Sequence, residues 1–562
     1  MAFQLSPGVN VSEIDLTTIV PAVGSTQGAY VGHFNWGPAN TIVGISDEVG
    51  LISTFGRPDT NVSVAESFFT AANFLAYANN LKVVRTLPTA ARNATSNATP
   101  VLIANRDAYE AAYATMPISA TGDYTSKYAG EYGNTLRVAV CGSANGFPYY
   151  AYSSYYASAP NTSTYTARVG GSTDEFHITV VDALGVFTGT ANAVLETFGY
   201  VSKAYDAKND DGSSNYYVNV LNDRSKYIYA TAHPAANGWG NTASSTTFGN
   251  IGGANTRTFT LSGGVGANTS TDANIIGAYD KFKNADEVDI SLILMGSHSN
   301  VVSKFIVDNI AEVRKDCMVF ISPAKTDVIN QVGSEVTNIT STRNSYNSSS
   351  YAFFDSGWKY QFDKYNNIYR WVPLNGDIAG LCVRTDYQRD PWFSPAGFNR
   401  GQIKNVTKLA WNPTKSQRDT LYNIGVNSVV SFQGEGTVLY GDKTMLSKPS
   451  AFDRINVRRL FIVLEKAIAI ASKYSLFEFN DEFTRAQFVS LVEPYLRDVQ
   501  GRRGIFDFRV ICDTTNNTPE VIDRNEFVGD IYIKPARSIN FIQLNFVAVR
   551  TGVAFEEIVG RF

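Results

Sequence analysis

Ile290-Ser291-Leu292-Ile293-Leu294, then a segment opened by Asn300, then Met318-Val319-Phe320-Ile321, decides how this chain folds. The outer two runs are short and apolar, as buried strands are. Between them Val302, Phe305, Ile306, Ile310 and Val313 recur at helical spacing, with Asn300 as the capping residue. Ser322-Pro323 ends the second strand. Strand, helix and strand in that order predict a right-handed crossover and a parallel pair.

The same alternation extends in both directions. Upstream, Trp36-Gly37-Pro38 is a turn and Ser63-Val64-Ala65-Glu66 reads as a capping box. Ala65, Phe68, Phe69, Ala72 and Leu75 share one helical face, and Leu81-Lys82-Val83-Val84-Arg85 follows as a strand. Downstream, the Ser/Asn-rich Ser341 to Ser350 reads as a loop, and Val372 to Tyr440 mixes short strands with a helix near Lys415 to Gly425. Asn456 caps a helix with Val457, Leu460, Phe461, Leu464, Ile468 and Ala471 on one side. A second helix runs over Asp481 to Val499, where Pro494 predicts a kink or break. Ile505 to Cys512 and the alternating Ile539 to Val549 read as strands.

Between these blocks Thr, Ser, Asn, Gly and Tyr dominate, and short β-prone runs such as Phe176 to Val181 and Thr258 to Leu261 alternate with turn clusters. No helix of useful length stands out. The reading is a mixed α/β (α+β) multidomain chain with a β-rich insertion. It divides into an arm at 1–20, an α/β core at 21–95 with 281–440, an inserted outer domain at 96–280, a C-terminal α/β assembly domain at 441–550, and a second arm at 551–562.

The first arm has no partner of its own. Ser6-Pro7-Gly8 breaks the chain and Val9 to Ile14 alternates as a strand does, but no second strand closes a hairpin. Its backbone groups must pair somewhere, and strand addition to another subunit's sheet edge is the outlet. Pro7, Gly8, Val9, Val11, Glu13 and Ile14 are the candidate arm residues, with Thr17, Thr18 and Pro21 as hinge. Phe555 and Ile558 are the candidates in the C-terminal arm.

The 562 residues suffice for several cores, and a net charge of -4 disfavours binding nucleic acid through its phosphates. No apolar run approaches the roughly 18 residues of a membrane span, and the N-terminus lacks the pattern of a signal peptide. Cys141, Cys317, Cys382 and Cys512 form no Cys-x-x-Cys pair and read as buried thiols of a chain that folds in a reducing cytosol. Four scattered histidines offer no metal site.

Three motifs invite sharper readings. Gly436 to Thr444 approaches a phosphate-binding loop, but Asp442 sits between Gly441 and Lys443, and Pro449 stops a following helix. Ser297-His298-Ser299 lacks the nucleophile elbow and reads as a capping loop. Asp210-Asp211-Gly212 lacks the alternate ligands of a calcium loop and reads as a turn. No cofactor or catalytic residue is expected. The basic cluster Arg454, Arg458 and Arg459 is either a solvated face or a set of local ion pairs, or else a contact with the acidic face of a neighbouring subunit or other partner.

Ser6 to Glu13, Trp36-Gly37-Pro38, Val83-Val84-Arg85, Lys127 to Asn134, Asp377 to Gly380, Arg384-Thr385-Asp386, Ser394 to Gly397, Tyr440 to Thr444, Ile455 to Leu460 and Phe477 to Asp481 occur in an order that resembles the contractile tail sheath proteins of bacteriophages. The resemblance covers about 1–95 and 350–562, and hardly reaches the insertion. Ala129-Gly130 stands where the family often has Pro-Gly, and Tyr440 where it often has Trp.

The resemblance implies a non-enzymatic subunit of the virion, assembled in the host bacterial cytoplasm. Copies stack as six-membered discs around an inner tail tube, core domains near the tube and insertion outermost, with Arg454, Arg458 and Arg459 as candidate contacts with the tube or a neighbouring subunit, and meet baseplate and tail terminator proteins. A metastable sheath then contracts and drives the tube through the host envelope, without nucleic acid binding or membrane insertion. The rival readings are a baseplate or adhesin protein with a carbohydrate-binding insertion, and an α/β hydrolase. The second needs a cleft of clustered titratable groups.

Overall fold

The computed structural model describes residues 26–97, 99–115, 122–234, 238–251, 254–266, 270–540 and 543. The central sheet has seven strands in the order Val426–Asn427, Ala352–Asp355, Met318–Ile321, Leu292–Leu294, Gly28–Gly32, Leu81–Arg85 and Ile42–Ile45. The first six are parallel and the last is antiparallel to its neighbour. Leu292 pairs with Met318 and Leu294 with Phe320, the crossover expected from the alternation of strand and helix. Every residue of those two strands is buried, so apolar side chains occupy both faces without alternation.

One long element escaped the sequence reading. Asn375–Gln388 is a helix packed against Val62–Leu75. Asn375 through Val383 are all buried, so the helix shows no polar stripe, and Gly376 and Gly380 look like breakers. Their function is close approach. A Cβ on Gly376 would lie 2.5 Å from the Thr70 carbonyl oxygen, and one on Gly380 2.6 Å from the Tyr77 ring.

Between Leu81–Arg85 and Leu292–Leu294 the chain builds a separate antiparallel sheet, ordered Ala193–Ser202, Glu175–Asp182, Leu136–Cys141, Thr256–Thr260. It has its own core, including Val138, Phe176, Ile178, Tyr217, Trp239 and Phe259. The chain returns to the main core at Ile275, Ala278 and Tyr279 of the helix Asp272–Tyr279. Composition places that return at 280, because the polar residues that open this helix resemble those before it.

The last block stacks the helices Ile455–Ser472 and Glu482–Gly501 on a two-stranded sheet, Ile505–Ile511 with Asp530–Pro535. Leu460, Leu464, Phe488, Val492, Leu496 and Ile505 close its core around Trp392 of the main body.

Four local expectations are corrected. Helix Val62–Leu75 is capped by Asn61, which accepts from Ser63 and Val64, while Glu66 instead pairs with Lys325 at 2.9 Å. Helix Glu335–Asn344 runs into the stretch read as a loop. Pro494 does not break Glu482–Gly501, because Phe488 and Val492 before it and Leu496 and Val499 after it are held in one core. Asn456 lies inside its helix rather than at the cap, and its amide donates to the Ala536 carbonyl at 3.3 Å.

Candidate assembly interface

Both arms fall outside the described residues: Pro7, Gly8, Val9, Val11, Glu13, Ile14, Thr17, Thr18 and Pro21 at one end, Phe555 and Ile558 at the other. The strand read over Ile539 to Val549 lies mostly outside them too.

The structure gives the three arginines partners within the chain. Arg459 donates to both Asp386 oxygens at 2.8 and 2.5 Å. Burial opposes its charge, but the Asp386 carboxylate beside it outweighs that and raises its pKa. Arg458 lies over the Tyr351 and Phe452 rings at 4.5 and 4.4 Å and donates to Glu465. Arg454 is 3.6 Å from Asp442 and stacks near Tyr422. Arg458 and Arg459 are buried, so neither presents a free charge to a tube or a neighbour from this subunit. The sequence showed three cations at a helix start; it could not show carboxylates 73 and 12 residues upstream, or which way each fork turns.

The sheet of Ile505–Ile511 and Asp530–Pro535 is unfinished. Phe508 pairs with Ile533 and Val510 with Ile531, and these four pack inward. Arg509 pairs with Tyr532 on the outer side, where Asp507 and Lys534 form an exposed ion pair. Among the described residues neither outer edge pairs with a third strand. A two-stranded ribbon is marginal alone and its edges invite pairing.

A second uncovered surface lies where the two helices meet. Ile470, Tyr474, Leu476, Phe477, Phe479 and Phe483 are all exposed around that turn, Phe477 completely. Such a cluster exposes apolar surface on the order of several hundred Å², the size of patch that often marks a contact site.

The motifs that suggested chemistry are structural. Asp442 of the phosphate-loop look-alike is buried, and Lys443 donates to the Tyr422 carbonyl at 2.9 Å. Ser299, rather than the expected Asn300, caps the helix Asn300–Ile306 by accepting from the Val302 amide, and the His298 ring nitrogen Nε2 lies 2.7 Å from the Val31 carbonyl. Burial, with His298 and Arg85 nearby, brings the His33 pKa down to about 4, and its neutral ring accepts from the Ser270 amide at 3.0 Å. Asp211 accepts from Ser213 in a turn. The four cysteines are free and buried. Among the described residues no group of three or more His, Cys, Asp or Glu is placed to hold a metal ion, and no helix is long and apolar enough to cross a membrane.

Residues 268–445 match the phage tail sheath protein central domain, 447–548 the phage tail sheath C-terminal domain, and 29–86 the N-terminal region of domain III of the tail sheath protein Gp18. The tail sheath protein of Vibrio phage KVP40 is 36% identical, with 99% of this chain and 100% of that protein aligned. That of Enterobacteria phage T4 is 34% identical, with 99% of each aligned. In fold, the chain resembles the sheath tail protein Lin1278 from Listeria innocua (TM-score 0.52, 12% identity, 92% of this chain and 96% of that one). It also resembles the helical sheath of the anti-feeding prophage in its contracted state (TM-score 0.50, 13% identity, 97% and 99%). A chain matched along 99% of its length by tail sheath proteins at 34–36% identity belongs to the phage tail sheath protein family.

Proposed function

We propose that this chain, a structural subunit of a contractile phage tail sheath, is linked to its neighbours by its terminal arms. The unfinished sheet carries the reading: each open edge of Ile505–Ile511 and Asp530–Pro535 accepts a strand from another copy, Val9 to Ile14 being one donor. Several backbone hydrogen bonds then act together, each contributing roughly 0.5–1.5 kcal/mol. Copies joined in this way form six-membered discs around the inner tube, between baseplate and terminator proteins, in the host cytoplasm. Such links tolerate sliding and rotation of the bodies, so the lattice shortens without coming apart and drives the tube through the envelope. A synthetic peptide of residues 2–16, added in excess to the purified chain, should compete for the edges and lower the yield of tubes in negative-stain images. Unchanged yield with saturating peptide would remove the edge as acceptor.

We infer that the inner tube meets the apolar turn rather than the arginines. The helix Ile455–Ser472 has 18 residues and spans about 27 Å, so the turn stands a helix length away from the arm attachments beside Arg454 and Arg459. Neighbours engage the arms and the sheet, which leaves the turn to a different partner. Phe477→Ser with Phe479→Ser should leave the subunit folded, because both side chains are exposed. Sheaths of this variant should retain less tube after washing, and full retention would return the tube contact to another surface.

A further inference from the structure

The segments that lead to the two arms, at Thr26 and at Ser538 to Asn540, are tied to carboxylates braced from the start of a single helix: Asp386, half-buried, and Asp442, buried. At the first, Thr26 Oγ1 donates to Asp386 Oδ2 at 2.5 Å, the oxygen that Arg459 also holds. One residue on, the Gln27 carbonyl accepts from the Ser291 and Leu292 amides at 2.9 and 3.1 Å as the chain enters the central sheet. At the second, Ser538 Oγ donates to Asp442 Oδ2 at 2.7 Å, and the Asn540 amide donates to Asp442 Oδ1 at 2.8 Å and to the Tyr422 hydroxyl at 3.0 Å. Arg454, the residue before the helix Ile455–Ser472, faces that carboxylate, and Asn456 holds the Ala536 carbonyl on the way. Thus Arg384-Thr385-Asp386, Tyr440 to Thr444 and Ile455 to Leu460 meet at the two roots, although long stretches of sequence separate them.

We propose that Asp386 and Asp442 are paired clamps: each fixes the direction in which its arm leaves and passes tension on that arm, through Arg459 and Arg454, into the helix Ile455–Ser472. This rests on the reading that the arms link copies. A strand that must find a neighbour's edge binds tightly only if little orientational freedom is lost on pairing. A root tied to a carboxylate, itself in a charge-assisted pair, has already given up that freedom. The roots also bear the load when bodies rotate, since the strand beyond them is anchored in a different subunit. A purely structural role for Asp386 and Asp442 needs only their arginines, and the arm-side donors Thr26, Ser538 and Asn540 would then be dispensable.

Those donors provide the test. Thr26→Val combined with Ser538→Ala and Asn540→Ala leaves both carboxylate–arginine contacts in place, so the subunit should melt with the unaltered chain. The lowest protein concentration that yields tubes should rise about tenfold or more, and amides of residues 26–28 and 538–540 should exchange faster. Asp386→Asn, which keeps size but removes the charge held by Arg459, should raise that concentration in the same direction. A chain lacking residues 2–16 is measured alongside. If it too forms normal tubes, the arm reading itself fails. If it does not, while the triple variant polymerises at the wild-type concentration with unaltered exchange at the roots, the clamps alone are overturned.

Discussion

A chain lacking residues 2–16 sediments as a folded monomer under conditions in which the full chain forms long tubes. The body should keep its fold because the cores of the described residues are built from residues beyond 26: the central sheet, the antiparallel sheet around Phe176 and Trp239, and the helix pair around Val492 and Leu496. What is lost is the link. About four or five backbone bonds at roughly 1 kcal/mol each amount to about 5 kcal/mol per strand, before any burial of Val9, Val11 or Ile14 is added. That is a factor of several thousand in a pairwise constant, and every copy loses one link as donor and one as acceptor. The concentration needed for growth therefore moves out of reach, whereas far-ultraviolet circular dichroism and the melting curve stay close to those of the full chain. Sedimentation velocity reads the outcome directly. Tubes of normal length from the shortened chain would show that lateral contacts between bodies suffice and that the open edges of Ile505–Ile511 and Asp530–Pro535 have another use.

The legible parts of this molecule share a local physical signal. Leu292–Leu294 and Met318–Ile321 are apolar runs bounded by turn residues, and Glu482–Gly501 repeats its apolar face across Pro494. The missed helix Asn375–Gln388 has no such signal, because full burial erases the amphipathic stripe and helix contact demands glycine. The interface divided in the same way. The strand expected from the alternation of Val9 to Ile14 lies outside the described residues. The open edges of the two-stranded sheet could not be read from the sequence, since openness among the described residues is a statement about which strands fail to arrive. The apolar turn reads from sequence only as a motif, Phe477 to Asp481, because phenylalanines near a helix start look like core until the packing shows them exposed among the described residues. For the basic cluster the reading as local ion pairs holds, but the partners were illegible, because Asp386 and Asp442 lie far from it in sequence and only the fold brings them to Arg459 and Arg454.

Arg85→Met should be the most destabilising single substitution in the body. Arg85 ends the strand Leu81–Arg85, is 1% exposed, and meets three carbonyl dipoles where a buried cation would ordinarily take a carboxylate. Nε donates to Phe34 at 2.8 Å, Nη1 to Gly37 at 2.7 Å and Nη2 to Ala129 at 2.7 Å. Its planar fork thus fastens the Trp36-Gly37-Pro38 turn to the Ala129-Gly130 segment, at the seam between central sheet and outer insertion. Gly130 is needed there, because its φ of 140° and an added Cβ 2.7 Å from the Asn35 carbonyl oxygen exclude other residues. Methionine fills much of the volume but orphans three buried acceptors, each costing about 1 kcal/mol or more, so the loss should reach about 3–5 kcal/mol. Lysine keeps the charge and cannot span the fork, so Arg85→Lys should recover little of it. Urea denaturation followed by tryptophan fluorescence measures both, since Trp36 packs on Tyr128 and Phe187 across the same seam. The seam should also open first: trypsin should cut after Arg92 faster in both variants. A midpoint within error of the unaltered chain for Arg85→Met would mean that the three carbonyls find other donors, and that the insertion is held to the body by its aromatic contacts alone.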